Sequence, residues 1–250
     1  MSRLIRAEAL KLRSTRTFWL LAVGALALII IGTAAMSAAT SYAQGTGPAR
    51  ATLALAGLAQ TFALIAGALA VTGEFRHKTI TQAVLITPRR TPLLAAKVIT
   101  LAAAGLGFGL LATGAAAAIA LPVLAGRHIP SQVDGAQLAG IVAGGGVVTA
   151  LAAALGAGIG TVIRNQVGAV IAVLSLLYVA EPLLGFIPHL GPAVQTYGLG
   201  GLASGATATA GFPPSARLLS QAPATLLLAA YVLAVLLPGA ALLRQRDITA

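Results

Sequence analysis

The chain has 250 residues, 58% of them hydrophobic and only 8% charged, with a formal net charge of +11. A soluble domain carries about 25% charged residues, so this composition excludes a water-soluble surface. Apolar stretches of membrane-spanning length recur from Thr17 almost to the last residues, which leaves no room for a separate soluble catalytic domain.

We read residues 1–250 as one integral membrane domain. It is all-α because Ala, Leu and Gly dominate, where a barrel would need repeated strands of alternating polarity. Residues 1–16, MSRLIRAEALKLRSTR, are rich in helix formers. At about 100° per residue Ile5, Ala9 and Leu12 share a face, and Arg3, Arg6 and Arg13 gather beside it. This pattern predicts a short helix along the headgroup layer, before the chain turns into the bilayer at Phe18 and Trp19. The plainer alternative is a basic topology anchor. The basic start followed by an apolar run resembles a secretory signal, but the run far exceeds an h-region of about 7–15 residues, so a retained first helix is expected.

A span needs about 20 mostly apolar residues. Thr17–Ala49, Ala51–Gly73, Val98–Gly126, Gly135–Ile163 and Leu218–Leu243 meet that length without a charge. Val167–Ile187 meets it only by including Glu181 and Pro182, so six spans are expected, the fifth of them irregular. With the N-terminus inside, 13 basic residues fall on the cytoplasmic side and only Arg50, Arg127 and Arg217 outside. Both termini are therefore expected in the cytoplasm of a multi-pass cell-membrane protein. The same distribution turns the net charge away from nucleic acid, because these charges flank spans, where they meet anionic lipid headgroups.

Between the second and third spans lies GEFRHKTITQAVLITPRRTP, residues 73–92. Glu74 and Lys78 have the spacing and order of a helical ion pair. Ile80, Ala83 and Val84 share a face, so a helix of about three turns from Glu74 to Leu85 is expected. Thr87 and Pro88 end it, because the residue before a proline is pushed out of the helical region. A charged helix held at the membrane is suited to docking a soluble partner.

Glu181 is the acidic residue inside a candidate span, and burying a charge in lipid is costly enough to make it a candidate for the translocation path. The adjacent Pro182 breaks the helix as transport-site helices often are broken; alternatively Glu181 marks the outer headgroup level. Residues 188–221, rich in Gly and Pro, are expected to form an irregular outer region. The pairs Gly105/Gly109, Gly140/Gly144 and Gly156/Gly160 fit close helix packing within the bundle as well as dimerisation. The chain has no cysteine, and its three histidines, His77, His128 and His189, lie in three different loops without metal-ligand spacing. The phosphate-cradling pattern GxxxxGK followed by Ser or Thr does not occur, so no nucleotide cofactor is expected in this chain.

Glu74, Arg76 and Thr79, then Thr87, Pro88 and Arg90, then Lys97, resemble the first cytoplasmic loop of ABC-2 type transporter permeases. EALKLRSTRTFW, residues 8–19, resembles the opening of that family, in which a surface helix with a Lys-Leu-Arg run, here Lys11 to Arg13, leads into the first span. The resemblance implies a transmembrane subunit of an ATP-driven ABC exporter with a cytoplasmic coupling helix. Glu74, Arg76, Lys78, Thr79, Pro88 and Arg90 would then lie at or near the contact with a separate ABC ATPase subunit, and Lys11 and Arg13 at the N-terminal interface. This sequence has Lys78 where many members carry Gly. The resemblance further implies short re-entrant helices in the outer region and a homo- or heterodimer of permease subunits around a central path. Two readings from other classes remain: a membrane anchor or assembly subunit without a transport path, and an ion-coupled secondary transporter, which would group acidic or polar residues at mid-membrane.

Overall fold

The computed structural model describes residues 1–40, 47–76, 90–211 and 217–245. Every regular element among the described residues is helical, and six stretches are long and apolar enough to cross a membrane. α1 (Ser2–Ser14) precedes the first span, α2 (Arg16–Ala39). α3 (Pro48–Leu53), a 3-10 turn (Ala54–Gly57) and α4 (Leu58–Arg76) form the second. α5 (Arg90–Gly126) and α6 (Gly135–Val162) are the third and fourth. The fifth is built from α7 (Gln166–Ser175), a π-helical turn (Leu176–Ala180) and α8 (Glu181–Gly185). Two short helices, α9 (Gly191–Tyr197) and α10 (Leu199–Thr207), lead to the sixth, α11 (Gln221–Gln245).

Two boundaries differ from the expected windows by more than three residues, and each for a physical reason. α2 stops at Ala39, ten residues short of Ala49, because Thr40 is extended and Pro48 starts the next helix. Proline suits a first helical turn, where its missing N–H costs nothing. α5 begins at Arg90 rather than Val98, so Lys97 lies two turns inside the helix. A window that rejects charges cannot register a lysine whose charge is paired. The fifth span is irregular but, against the expectation from Pro182, unbroken: the helix continues through Pro182, which sits in the first turn after a wider π-helical turn where the Glu181 N–H reaches back to the Leu176 carbonyl, five residues away.

α6 is the centre of the bundle, packed along its length by α4 and α5 and further out by α11. Its small residues make this contact close. A methyl group on Gly156 would collide with the Leu64 carbonyl oxygen of α4, and one on Gly67 of α4 with the Ala153 carbonyl oxygen of α6. On the other flank, Gly105 and Gly109 of α5 meet the Thr149 and Gly145 carbonyl oxygens of α6. Gly144 and Gly160 likewise meet backbone of this same chain, whereas Gly140 meets only the Gln221 side chain. The glycine spacings therefore serve packing within the bundle, where backbones approach closely and dispersion supplies the attraction that lipid does not. Three of the buried threonines are satisfied locally: Thr72, Thr100 and Thr149 donate to carbonyls one turn back at 2.9, 2.8 and 2.7 Å. In hydrocarbon that back-bonding avoids an unsatisfied hydroxyl.

Alanine at Gly156 is expected to cost about 1–3 kcal/mol through overpacking. Alanine at Gly107, where nothing lies within 4 Å, is expected to be neutral or to gain up to about 1 kcal/mol of helix propensity. Reversible unfolding in mixed micelles distinguishes the two; equal effects would contradict the packing assignment.

Candidate functional site

At one end of the bundle four charges close a ring. Lys97 of α5 donates to Glu8 of α1 and, at 2.8 Å, to Glu74 of α4. Lys11 of α1 donates to Glu8 at 2.7 Å and to Glu74 at 3.0 Å. Two acids and two bases thus alternate, joining residues up to 89 positions apart. The Glu8 and Lys97 side chains are only 5% and 8% exposed, while Lys11 at 51% reaches water. α1 supplies its part by laying Ile5, Glu8 and Leu12 inward, with Leu12 against the cluster of Val71 and Leu101, and keeping Arg3, Arg6 and Arg13 exposed.

Burial alone would push the Glu8 carboxyl up, but Lys97 and Lys11 together hold it below its ordinary value. Burial would lower Lys11, and its bonds to Glu8 and Glu74 outweigh that and raise it. A depressed carboxyl stabilises the fold above its unfolded pKa and loses that contribution as pH falls through the native value; a raised lysine does the reverse at the alkaline end. The ring is therefore at full strength between the carboxylate and lysine ranges.

The site residues anticipated from the sequence distribute as follows. Lys11 and Glu74 belong to the ring, so the Glu74 carboxylate faces two lysines rather than solvent and is 14% exposed. Arg76 ends α4, exposed, and donates to the Gln166 side chain of α7 at 3.1 Å. Nearby Arg164 stacks on the Phe75 ring at 5.2 Å. Arg13 is exposed, and its carbonyl accepts from the Trp19 indole at 2.9 Å, fixing the turn from α1 into α2. Lys78, Thr79 and Pro88, with the expected helix beyond Arg76, lie outside the described residues, and Arg90 is described only as the start of α5. Glu8, which completes the ring, went unrecognised; its signal was a carboxylate three residues before Lys11 on an otherwise basic helix.

At the opposite end Arg127 donates to the Ser37 and Thr40 carbonyls, both at 2.8 Å, closing the end of α2. The same end holds a cavity of about 690 Å³ between the start of the second span, α5, α6, the irregular fifth span and the short helices α9 and α10. Its wall includes Glu181, whose carboxylate accepts the backbone N–H groups of Leu199 at 2.5 Å and Gly200 at 3.1 Å. These are donors of the first turn of α10, so Glu181 also caps that helix. α10 is anchored in turn through Leu202, Ala203 and Ala206 against Ala224 and Leu228 of α11. Thr61 and Tyr178 share a 3.0 Å hydrogen bond between the second and fifth spans within the lining. From Lys97 to Thr113, which also lines the cavity, α5 rises about 24 Å, so ring and cavity are separated by most of a bilayer core. No cluster of three metal-ligating side chains occurs among the described residues.

Six apolar helices enclosing a buried charge ring at one end and a cavity at the other define a multi-pass, all-α membrane protein. The chain belongs to the ABC-2 transporter permeases: the family described as ABC-2 family transporter protein matches residues 4–180, well over half of its length. The match takes in the ring and the first five spans as far as the π-helical turn. No curated protein matches the chain.

Replacing Lys97 by Met removes the buried base and leaves the equally buried Glu8 with only the half-exposed Lys11, and is expected to cost about 3–5 kcal/mol, the usual penalty for breaking a buried pair. Lys11→Met, at the exposed corner, is expected to cost about 1 kcal/mol or less. The difference is read from unfolding in mixed micelles near neutral pH, and equal costs would contradict the ring's buried geometry.

Proposed function

We propose that this chain is the permease subunit of an ATP-driven exporter, which moves an amphipathic or lipophilic substrate outward using ATP hydrolysed by a separate ABC ATPase subunit. Beyond family membership, the observation that carries the reading is the position of the ring relative to residues 77–89. α4 ends two residues after Glu74, and α5 starts seven residues before Lys97. The intervening segment is thus tied at both ends to one buried charge assembly that also holds α1. Pressure from a docked ATPase would reach three helices together rather than bend one loop.

In this reading Arg76, Lys78, Thr79, Pro88 and Arg90 form the docking segment, with ATP and Mg bound by the partner. Glu74 acts one step inward, passing displacement to Lys97 and Lys11. The ring end faces the cytoplasm with both termini, because the described basic residues around it outnumber Arg50, Arg127 and Arg217 at the other end. Arg3, Arg6 and Arg13, with Lys11, meet lipid headgroups. A second permease subunit, either a copy or a different chain, completes the path, and ATP binding shifts the pair between inward-open and outward-open arrangements.

Because Glu74 is a ring member, removing it would test stability and docking at once. Arg76→Glu is the cleaner change: it is expected to leave yield and melting temperature unaltered while reducing recovery of the ATPase subunit with the tagged permease at least about tenfold, a loss of roughly 1.4 kcal/mol. Gln166→Ala, which removes only the intrachain partner of Arg76, is expected to preserve recovery. Undiminished recovery with Arg76→Glu would contradict the docking assignment.

A further inference from the structure

We propose that the cavity around Glu181 is a binding site for lipophilic monocations, a reading that rests on the exporter function and narrows its substrate class. The volume, about 690 Å³, lies within the range of about 300–1,000 Å³ typical of sites for drug-sized ligands. The lining is largely aliphatic, with hydroxyl and amide groups from Thr61, Gln60, Gln195 and Ser204. Among the described residues that line it, Glu181 is the one acid, and there is no Lys, Arg or His.

That charge pattern selects sign. An anion entering would meet a carboxylate and no basic side chain, whereas a cation would supply the positive charge that the wall lacks, in surroundings where Coulomb interactions are stronger than in water. Glu181 retains capacity for such a ligand. Its two oxygens accept one backbone N–H each from Leu199 and Gly200, and a carboxylate accepts about four hydrogen bonds. Gly200 adds no side chain between the carboxylate and the cavity; a methyl group there would lie 3.3 Å from a Glu181 oxygen. Tyr178 and Phe186 also belong to the lining, both well exposed. Their ring faces attract cations and bring apolar area with them. The apolar walls take a hydrocarbon body, and the acid with the two rings takes its positive charge.

The test uses two rigid ions of the same shape and opposite sign, tetraphenylphosphonium and tetraphenylborate. Binding of labelled tetraphenylphosphonium to the full chain in nanodiscs is measured by equilibrium dialysis against empty nanodiscs of the same zwitterionic lipid. Saturable binding above the lipid background is expected, with tetraphenylborate failing to displace it. Glu181→Gln is expected to weaken binding at least tenfold, and Ser204→Phe, which adds bulk to the cavity wall while keeping the carboxylate, to abolish it. Binding no greater than in empty nanodiscs, displacement by the borate as effective as by unlabelled phosphonium, or unchanged binding in a folded Glu181→Gln variant would overturn the site. Should Glu181→Gln fail to fold, the ion pair on the unaltered protein and the Ser204→Phe variant decide. The chain is tested without an ATPase, so loss of the site leaves the exporter reading standing. Conversely, a chain that binds the phosphonium yet recruits no ATPase would overturn the exporter reading alone.

Discussion

A lysine buried at the edge of a membrane bundle must find carboxylates, and here it finds them on two other helices. Lys97 needs Glu8 and Glu74 together, so α1, the end of α4 and the start of α5 cannot be positioned independently. An unpaired charge in that position would cost several kcal/mol, whereas the completed pair is close to neutral relative to apolar packing. The ring is therefore poor evidence for extra stability and good evidence for specificity: it fixes which helices meet and in what register. Lys11 makes the arrangement asymmetric, since it contacts both acids while remaining half open to water.

Away from the ring, geometry is set by an absence of side chains. Gly67, Gly105, Gly109 and Gly156 let α4 and α5 touch α6 backbone to backbone. The fifth span is the opposite case. A π-helical turn, a carboxylate and a proline follow one another within its continuous helix, and Glu181 ties this stretch to the start of α10. The close-packed centre and the irregular fifth span both border the cavity at the end away from the ring. Displacement entering at the ring would travel along α4 and α5 past α6, and both helices end up contributing to the cavity wall through Thr61 and Thr113.

The spans were legible in the sequence because hydropathy is a property of each residue by itself, and six apolar windows sufficed to count them. Their ends were less so. Ala39 and Arg90 bound helices for reasons of turn chemistry and charge pairing, to which a charge-free window is blind. The inward face of α1 was visible as Ile5, Ala9 and Leu12, but not the role of Glu8, whose partners lie 3 and 89 residues away. Glu181 stood out as an acid within an apolar stretch. The N–H groups it accepts come from Leu199 and Gly200, in a region that composition marked only as irregular. In each case what one sequence conceals is a contact between distant segments, and what it reveals is local burial or periodicity.

The proposed function requires the chain to work with a separate motor. The direct measurement is gentle purification of the native protein from membranes of its own host, with the accompanying proteins identified and quantified by mass spectrometry. A nucleotide-binding subunit in stoichiometric amount is expected. Its reproducible absence, in a detergent shown to preserve a known ABC complex of the same membranes, would contradict the proposed function and favour a membrane protein that works without an ATPase.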